Sequence, residues 1–317
     1  MAVKIEHALP VGYLLLHYRI AKTIGSGGFS IVYLAYDIKN GRPVVIKEYL
    51  PSNQATRLED ETVESLSEGS ATFHQGMKRF FDEAAALARI VHPNIVRVLD
   101  FFRENNTVYL VMEHHRGKDL RWYIKRRARG LSEKFIRTVF PPLLHGLREL
   151  HNNNLLHLDI KPANIFLRQG GNPLLLDFGA ARESFVAGRA SGPHTMTLGF
   201  APIEQHRRGY LGPWTDLYAI GATMWACMSG EAPPPATERA EEDTYKPAVR
   251  AFARRYSPQL LEAVDWCLHM NQLERPQKVD DLLDFMNQPR PEVEDEEPRG
   301  YLARLGLRLP WGGKKSA

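Results

Sequence analysis

Two cysteines in 317 residues, Cys227 and Cys267, are too few for a disulfide framework, and both lie in apolar, helix-like surroundings. They read as small core residues of a protein in a reducing compartment. Long apolar runs are missing as well. The one between Asp216 and Glu231 has 14 residues, short of the roughly 18–20 that cross a bilayer, so it reads as a buried central helix. A large excess of one charge is absent: the net charge of +4 suits an anionic nucleotide but is too small to argue for nucleic acid. The start carries Lys4, Glu6 and His7 instead of an apolar leader. No internal repeat is visible. A soluble, cytoplasmic protein is expected, long enough for one large catalytic unit or two modest domains.

What the chain does have is concentrated between His157 and Gly179, HLDIKPANIFLRQGGNPLLLDFG. Asp159 and Asn164 lie five positions apart on a short loop that Leu155 and Leu156 lead into. Asp177 ends an apolar run, Leu174 to Leu176, bounded by Gly170, Gly171 and Pro173, which reads as a buried strand. Two carboxylates and an amide in that arrangement suit a magnesium–nucleotide site, because Mg²⁺ takes oxygen ligands and keeps several waters beside one or two carboxylates.

H-x-D-x-K-P-x-N followed by D-F-G resembles the serine/threonine protein kinases of the eukaryotic-like (Hanks) type, most of all their bacterial members. The resemblance covers roughly residues 18 to 288. It implies an α+β, two-lobed fold: a small β-rich N-lobe with one key helix, about 18–113, and a larger, mostly helical C-lobe, about 114–288. It implies ATP with Mg²⁺, or Mn²⁺, as cofactors, and Ser or Thr hydroxyls of proteins as acceptors. By the family pattern Asp159 is the catalytic base and Lys161 steadies the γ-phosphate, while Asn164 and Asp177 hold the metal. Bacterial relatives often act with a metal-dependent protein phosphatase and phosphothreonine-binding modules, so such partners are implied too.

The remaining stretches can be set beside that pattern in order. Residues 1–17 form an apolar lead-in without assignable chemistry. Gly25-Ser26-Gly27-Gly28 joins two alternating strands, Ile31 to Tyr36 being the second. It is either a plain hairpin or a turn whose glycines allow φ > 0 and close approach of backbone N–H groups to phosphate. Gly25, Gly27 and Val32 fit the family's G-x-G-x-x-G-x-V, with Ser30 in place of the third glycine. Val44-Val45-Ile46-Lys47 reads as a strand, and Lys47 resembles the lysine that holds the α and β phosphates. Residues 51–76 are polar and poor in aromatics, so an extended insertion or mobile loop is expected.

Helical period returns at Met77, with Phe80, Ala84, Leu87, Ala88 and Val91 on one stripe and Glu83 at its border. An acid in such a place needs a partner, and the resemblance supplies Lys47. HPNIVRVLDFF and TVYLVMEHH read as two further strands. Met112 falls at the family's gatekeeper, and Glu113 to His115 at the adenine-binding hinge. No Cys or carboxylate spacing turns His114 and His115 into metal ligands. The basic run from Arg121 to Arg129 has two aromatics, and reads as a solvated helix face in preference to a nucleic-acid patch. Ser132 can cap the next helix, which Pro141-Pro142 should kink or restart. Thr197 is the expected substrate-facing threonine, Asp216 the expected brace of the catalytic loop, and Arg275 the expected partner of Glu204.

Leu158 departs from the pattern, standing where many kinases have an arginine that pairs with a phosphorylated activation-loop residue. Activation-loop phosphorylation is therefore not expected to be the main switch. Ser30 and Leu158 also leave room for a pseudokinase scaffold, and H-x-D-x-x-x-x-N alone is shared with small-molecule phosphotransferases. Residues 289–317 comprise an acidic tract (PEVEDEE) and an apolar–basic tail, read as a solvated linker followed by a disordered or surface-docking end that could touch a membrane peripherally.

Overall fold

Alternation of apolar and polar residues builds a six-stranded antiparallel sheet from the front of the chain. The computed structural model describes residues 7–66, 70–127, 129–177, 182–183, 197–207 and 209–288. In chain order the first elements are β1 (Leu14–Leu15), β2 (Tyr18–Ser26), β3 (Ser30–Asp37) and β4 (Pro43–Tyr49). A small hairpin of β5 (Ala55–Arg57) and β6 (Val63–Ser65) follows, then α1 (Ser70–Leu87), β7 (Val98–Glu104) and β8 (Thr107–Glu113). The sheet order is β1-β2-β3-β4-β8-β7. On β3 the period of two is clean: Ile31, Tyr33 and Ala35 are buried and their neighbours are not.

The sheet has a core on each face. Tyr33, Val44, Ile46, Tyr109 and Val111 pack on one side with Leu9, Leu15, Ala55, Val63 and Phe73. Leu110, Met112 and Val98 face the other way and join the core of the large lobe. Strand parity therefore sends Lys47 toward the large lobe and Glu48 away from it.

Several expectations change here. The described residues of 51–76 hold the β5–β6 hairpin and the start of α1, which begins seven residues before Met77. The reason is local. Ala55, Val63 and Phe73 reach the core, and Arg57 donates to the fully buried Glu48 carboxylate at 2.5 Å. Tyr33 and Tyr109 also donate to Glu48, each at 2.6 Å. An unpartnered carboxylate there would be costly, so the hairpin completes the strand that carries Lys47. Residues 7–17 of the lead-in likewise belong to the fold, since Leu9 and Leu15 are buried and the Leu9 N–H donates to Tyr33 Oη. α1 ends at Leu87, so Ala88 and Val91 lie beyond it and Val91 is exposed. Residues 92–97 are not strand either.

The large lobe opens with β9 (Gly117–Asp119) and α2 (Leu120–Lys125). α3 (Glu133–Asn152) precedes β10 (Leu155–Leu156), β11 (Ile165–Arg168), β12 (Pro173–Leu175) and β13 (Arg182–Glu183). The last helices are α4 (Ile203–His206), α5 (Pro213–Ser229), α6 (Ala236–Arg239), α7 (Ala248–Ala251), α8 (Pro258–Cys267) and α9 (Val279–Asn287). Ser132 caps α3 by accepting from the Phe135 N–H. Pro141 and Pro142 lie inside α3 without ending it. Their missing N–H donors are offset by burial of Phe140, Leu143, Leu144 and Leu147 on either side. α5 is buried from Thr215 to Met228 and forms the centre of the lobe. Cys227 and Cys267 are buried free thiols, pushed up by burial and so unreactive. No helix among the described residues is long and apolar enough to cross a membrane. The 289–317 tail lies outside the described residues.

Candidate active site

Between β10 and β11 the chain forms the loop that carries Asp159, and its shape depends on two residues in the left-handed region, Leu158 at φ +62° and, after β12, Asp177 at φ +57°. Neither is glycine, so each needs support from its surroundings. The fully buried Asp216, in the first turn of α5, accepts from the His157 N–H at 2.9 Å and the Leu158 N–H at 2.8 Å. Its second neighbour is His151 at the end of α3, whose Nε2 lies 2.9 Å away. Burial alone would raise the Asp216 carboxyl, but His151 and these hydrogen bonds hold it below the usual range. His157 is buried too. Its Nδ1 accepts from the Asp159 N–H at 3.2 Å and its Nε2 lies 3.0 Å from the Leu176 carbonyl. Burial lowers this imidazole, which keeps it neutral and able to do both.

On this frame Asp159 meets three side chains. Lys161 Nζ donates to it at 2.8 Å, and Asn164 Nδ2 donates to its carbonyl at 2.8 Å and its carboxylate at 2.9 Å. Thr197 Oγ1 lies 3.3 Å from the carboxylate and accepts from Lys161 at 2.8 Å. Asp159 and Lys161 keep part of their side chains exposed. A carboxylate so placed can take a proton from an incoming hydroxyl, with a cation beside it to balance charge.

The roof of the cleft comes from the small lobe. Lys47 of β4 is buried and forms an ion pair with Asp177, 130 residues away. Burial would pull its ammonium down, but the charge and hydrogen bond of Asp177, with Glu83 and Asp159 behind it, hold it above the usual lysine value. The expected partner Glu83 is displaced from this pair. No ion pair joins it to Lys47, and desolvation pushes its carboxyl well above the ordinary range, an effect the nearby Lys47 charge only partly offsets. One ammonium meets two acids here, and the acid at the strand end takes it.

The glycine turn lies at the β2–β3 junction, with Gly25 opposite Val32 and Ser26 opposite Ile31. None of Gly25, Gly27 and Gly28 is among the residues with positive φ. Their contribution is bareness instead: a Cβ at Gly27 or Gly28 would meet nothing within 4 Å, which leaves the backbone open to a phosphate. Gly27 N–H is bonded to the Ser30 carbonyl at 2.9 Å, so that donor closes the turn. At the other end Met112 is buried opposite Val45, Glu113 is exposed, and His114 and His115 are half-buried. Burial lowers both imidazoles, which are therefore neutral near pH 7.

Asn164 spends its amide nitrogen on Asp159, which leaves its amide oxygen as the group able to bind a cation. The Asp177 carboxylate is about half exposed. This hard-oxygen pair fits a divalent metal that takes its other ligands from phosphate and water. Among the described residues no group of three or more His, Cys, Asp or Glu is disposed to hold a metal without such help. Phe178, Gly179, Ser184, Ser191 and Thr195 lie outside the described residues.

The last anchor is remote. Arg275 is buried and donates to Glu204 at 2.6 and 3.2 Å, and to the carbonyls of His269 and Met270. Two residues with evident roles were not anticipated, His151 and Gln205. Gln205 donates to the Leu158 carbonyl at 3.0 Å. Each acts across more than 45 positions of sequence, and no spacing rule announces such a contact.

Comparison with known proteins agrees with this geometry. The family model described as the protein kinase domain matches residues 18–286. Serine/threonine-protein kinase D of Synechocystis is 31% identical over 232 residues, 69% of this chain and 42% of that protein. Serine/threonine-protein kinase PrkC of Bacillus subtilis is 31% identical over 220 residues, 68% of this chain and 31% of that protein. This chain thus spans less than half the length of these curated relatives. A solved structure described as "PpkA-294 apo form" matches with a TM-score of 0.79 and 36% identity, over 89% of this chain and 100% of that one. With its two lobes and the catalytic-loop geometry above, the chain belongs to the protein kinase family, in its bacterial, eukaryotic-like serine/threonine branch.

Proposed function

We propose that this chain is an active kinase that moves the γ-phosphoryl group of ATP to Ser or Thr hydroxyls of proteins, with residues 18–288 as its catalytic unit. The observation that carries this reading is the meeting of Lys47 with Asp177 across the lobes, beside the cluster of Asp159, Lys161 and Thr197. Asp159 accepts the proton of the attacking hydroxyl. The hydroxyl oxygen bonds to the γ-phosphorus as the bond to the bridging oxygen breaks, and ADP departs. Lys161 balances the charge on Asp159 and on the transferring group, and Thr197 orients the acceptor. Asn164 and Asp177 would hold Mg²⁺, with Mn²⁺ as a substitute; such an ion, when bound, neutralises phosphate charge. Lys47 then serves the α and β phosphates, and Glu83, whose charge it already feels, is the acid in reserve. The bare turn at Gly25 to Gly28 covers the phosphates with Ser26 and Val32 at its edge. Met112, Glu113 and His115 border the adenine. Positioning and electrostatics supply most of the rate in such chemistry.

Buried free thiols support a reducing cytoplasm as the location. A metal-dependent phosphatase and phosphothreonine-binding modules are the partners that fit a reversible Ser/Thr modification. The test is incubation with γ-labelled ATP, Mg²⁺ and candidate proteins. Label is expected on Ser and Thr. Label confined to small hydroxyl compounds would overturn the protein-kinase reading, and no label at all would make the chain a scaffold.

A leucine at 158 cannot pair with phosphate, so single Ser184→Ala, Ser191→Ala and Thr195→Ala changes should leave peptide phosphorylation within about two-fold of wild type. Loss of activity in any one of them, restored by an acidic residue, would show that loop phosphorylation is the switch after all. Thr197→Ala stands apart and should reduce turnover, because its hydroxyl touches both Asp159 and Lys161.

A further inference from the structure

Leucine rarely adopts a left-handed backbone, because its Cβ crowds the following carbonyl oxygen. Leu158 does so at φ +62°, one residue before Asp159. Its side chain is buried and carries no charge with which to anchor the loop. Both of its peptide groups are instead held by side chains from elsewhere. The N–H goes to Asp216 at 2.8 Å. The C=O accepts from Gln205 Nε2 at 3.0 Å, in a bond that is itself buried.

That second bond acts on the catalytic aspartate. The Leu158 carbonyl and the Asp159 N–H share one peptide plane, and the Asp159 N–H rests on His157 Nδ1 at 3.2 Å. Fixing the oxygen at one edge and the hydrogen at the other sets the rotation of the plane from which the Asp159 side chain projects. Gln205 is well placed to do so. It is 9% exposed and lies on α4 immediately after Glu204, which Arg275 ties into the core of the lobe. A rigid line of contacts therefore runs from Arg275 through Glu204 and Gln205 to the Leu158 carbonyl.

We infer that Gln205 is a positioning residue for phosphoryl transfer: its side-chain amide, by holding the Leu158 carbonyl, aims Asp159. The inference rests on the reading of Asp159 as the base. It assigns to a neutral amide the link between the end of the activation segment and the catalytic loop, a link that needs no phosphate.

Gln205→Met keeps the length of the side chain and removes the donor, while Gln205→Glu sets a carboxylate against the carbonyl. Each is assayed for kcat, KM for ATP, KM for peptide and thermal unfolding. The expected result is a kcat about 10- to 100-fold lower for Gln205→Met, the scale on which a small misplacement of a catalytic group is felt. Gln205→Glu should lose more. KM for ATP should stay within about two-fold for both, because the nucleotide is assigned to Lys47 of β4 and Asp177 after β12, and Gln205 lies on α4. A Gln205→Met chain with kcat within about two-fold of wild type overturns the inference. So does a loss shared equally by kcat and KM for ATP together with a lower unfolding temperature, which is the signature of a packing role alone. If these variants do not fold, Gln205→Asn, which keeps an amide one methylene too short to reach, is read by the same criteria. An unaltered chain that transfers no phosphate overturns the functional reading and this inference together; an active chain indifferent to Gln205→Met overturns this inference alone.

Discussion

Asp159→Asn should lower the rate of phosphate transfer by about 10²- to 10⁴-fold, the range a positioned general base contributes. The substitution is nearly isosteric. An amide oxygen at this place can still accept from Asn164, whose Nδ2 lies 2.9 Å from the present carboxylate. What is lost is the basic oxygen and the charge that draws Lys161 to within 2.8 Å. KM for ATP should change little, since the nucleotide is assigned to Lys47, Asn164, Asp177 and the glycine turn. Steady-state transfer from labelled ATP, with unfolding measured in parallel, separates loss of chemistry from loss of fold. Retention of more than a tenth of wild-type turnover would remove Asp159 from the role of base.

The second large effect is on stability. Arg275→Met strands a carboxylate: Glu204 is 5% exposed and its guanidinium partner is wholly buried. Removing one member of a buried pair costs about 3–5 kcal/mol, because the charge left behind can neither hydrate nor pair. That is a large share of the roughly 5–15 kcal/mol that holds a typical domain folded. Urea unfolding should therefore show a midpoint far below wild type. Arg121→Ala serves as the contrast. It removes an ion pair in which the arginine side chain is 58% exposed, and such surface pairs are worth about 0–1 kcal/mol. If the two substitutions cost the same, Glu204–Arg275 is not the anchor its burial suggests. Replacing both partners, Glu204→Leu with Arg275→Met, should recover much of the loss, since no unpaired charge then remains.

The meeting of Asp159 with Lys161 and Asn164 could be anticipated from sequence because the three are neighbours in the chain. Asp159, Lys161 and Asn164 fall within six residues, and the loop that joins them leaves few ways to arrange them. Ser132 was legible as a cap for the same reason, its bond reaching only three residues onward. The remote partners Asp216 and Arg275 were foreseen by resemblance to the family pattern, and the structure places both at hydrogen-bond distance of their targets.

Elsewhere local composition misled. The stretch 51–76 is polar on average, yet three of its apolar residues and Arg57 complete the core around Glu48. An average does not register a few residues that a strand two turns away requires. Of the two properties expected of the glycine turn, positive φ is not used, while the open backbone at Gly27 and Gly28 is there. Pro141 and Pro142 were expected to kink or restart α3; the helix runs on through both without a restart, with buried residues on either side.

Alternation, strand-end carboxylates and the H-x-D-x-K-P-x-N and D-F-G spacings determined the class of fold and pointed to the family, because those signals act over a few residues. Which acid Lys47 meets, which side chains hold Leu158 in its left-handed turn, and how a hairpin supports Glu48 were decided only in three dimensions. Each of these is a contest for one donor or acceptor among groups tens of residues apart, and distance in space, not order in the chain, determines which group prevails.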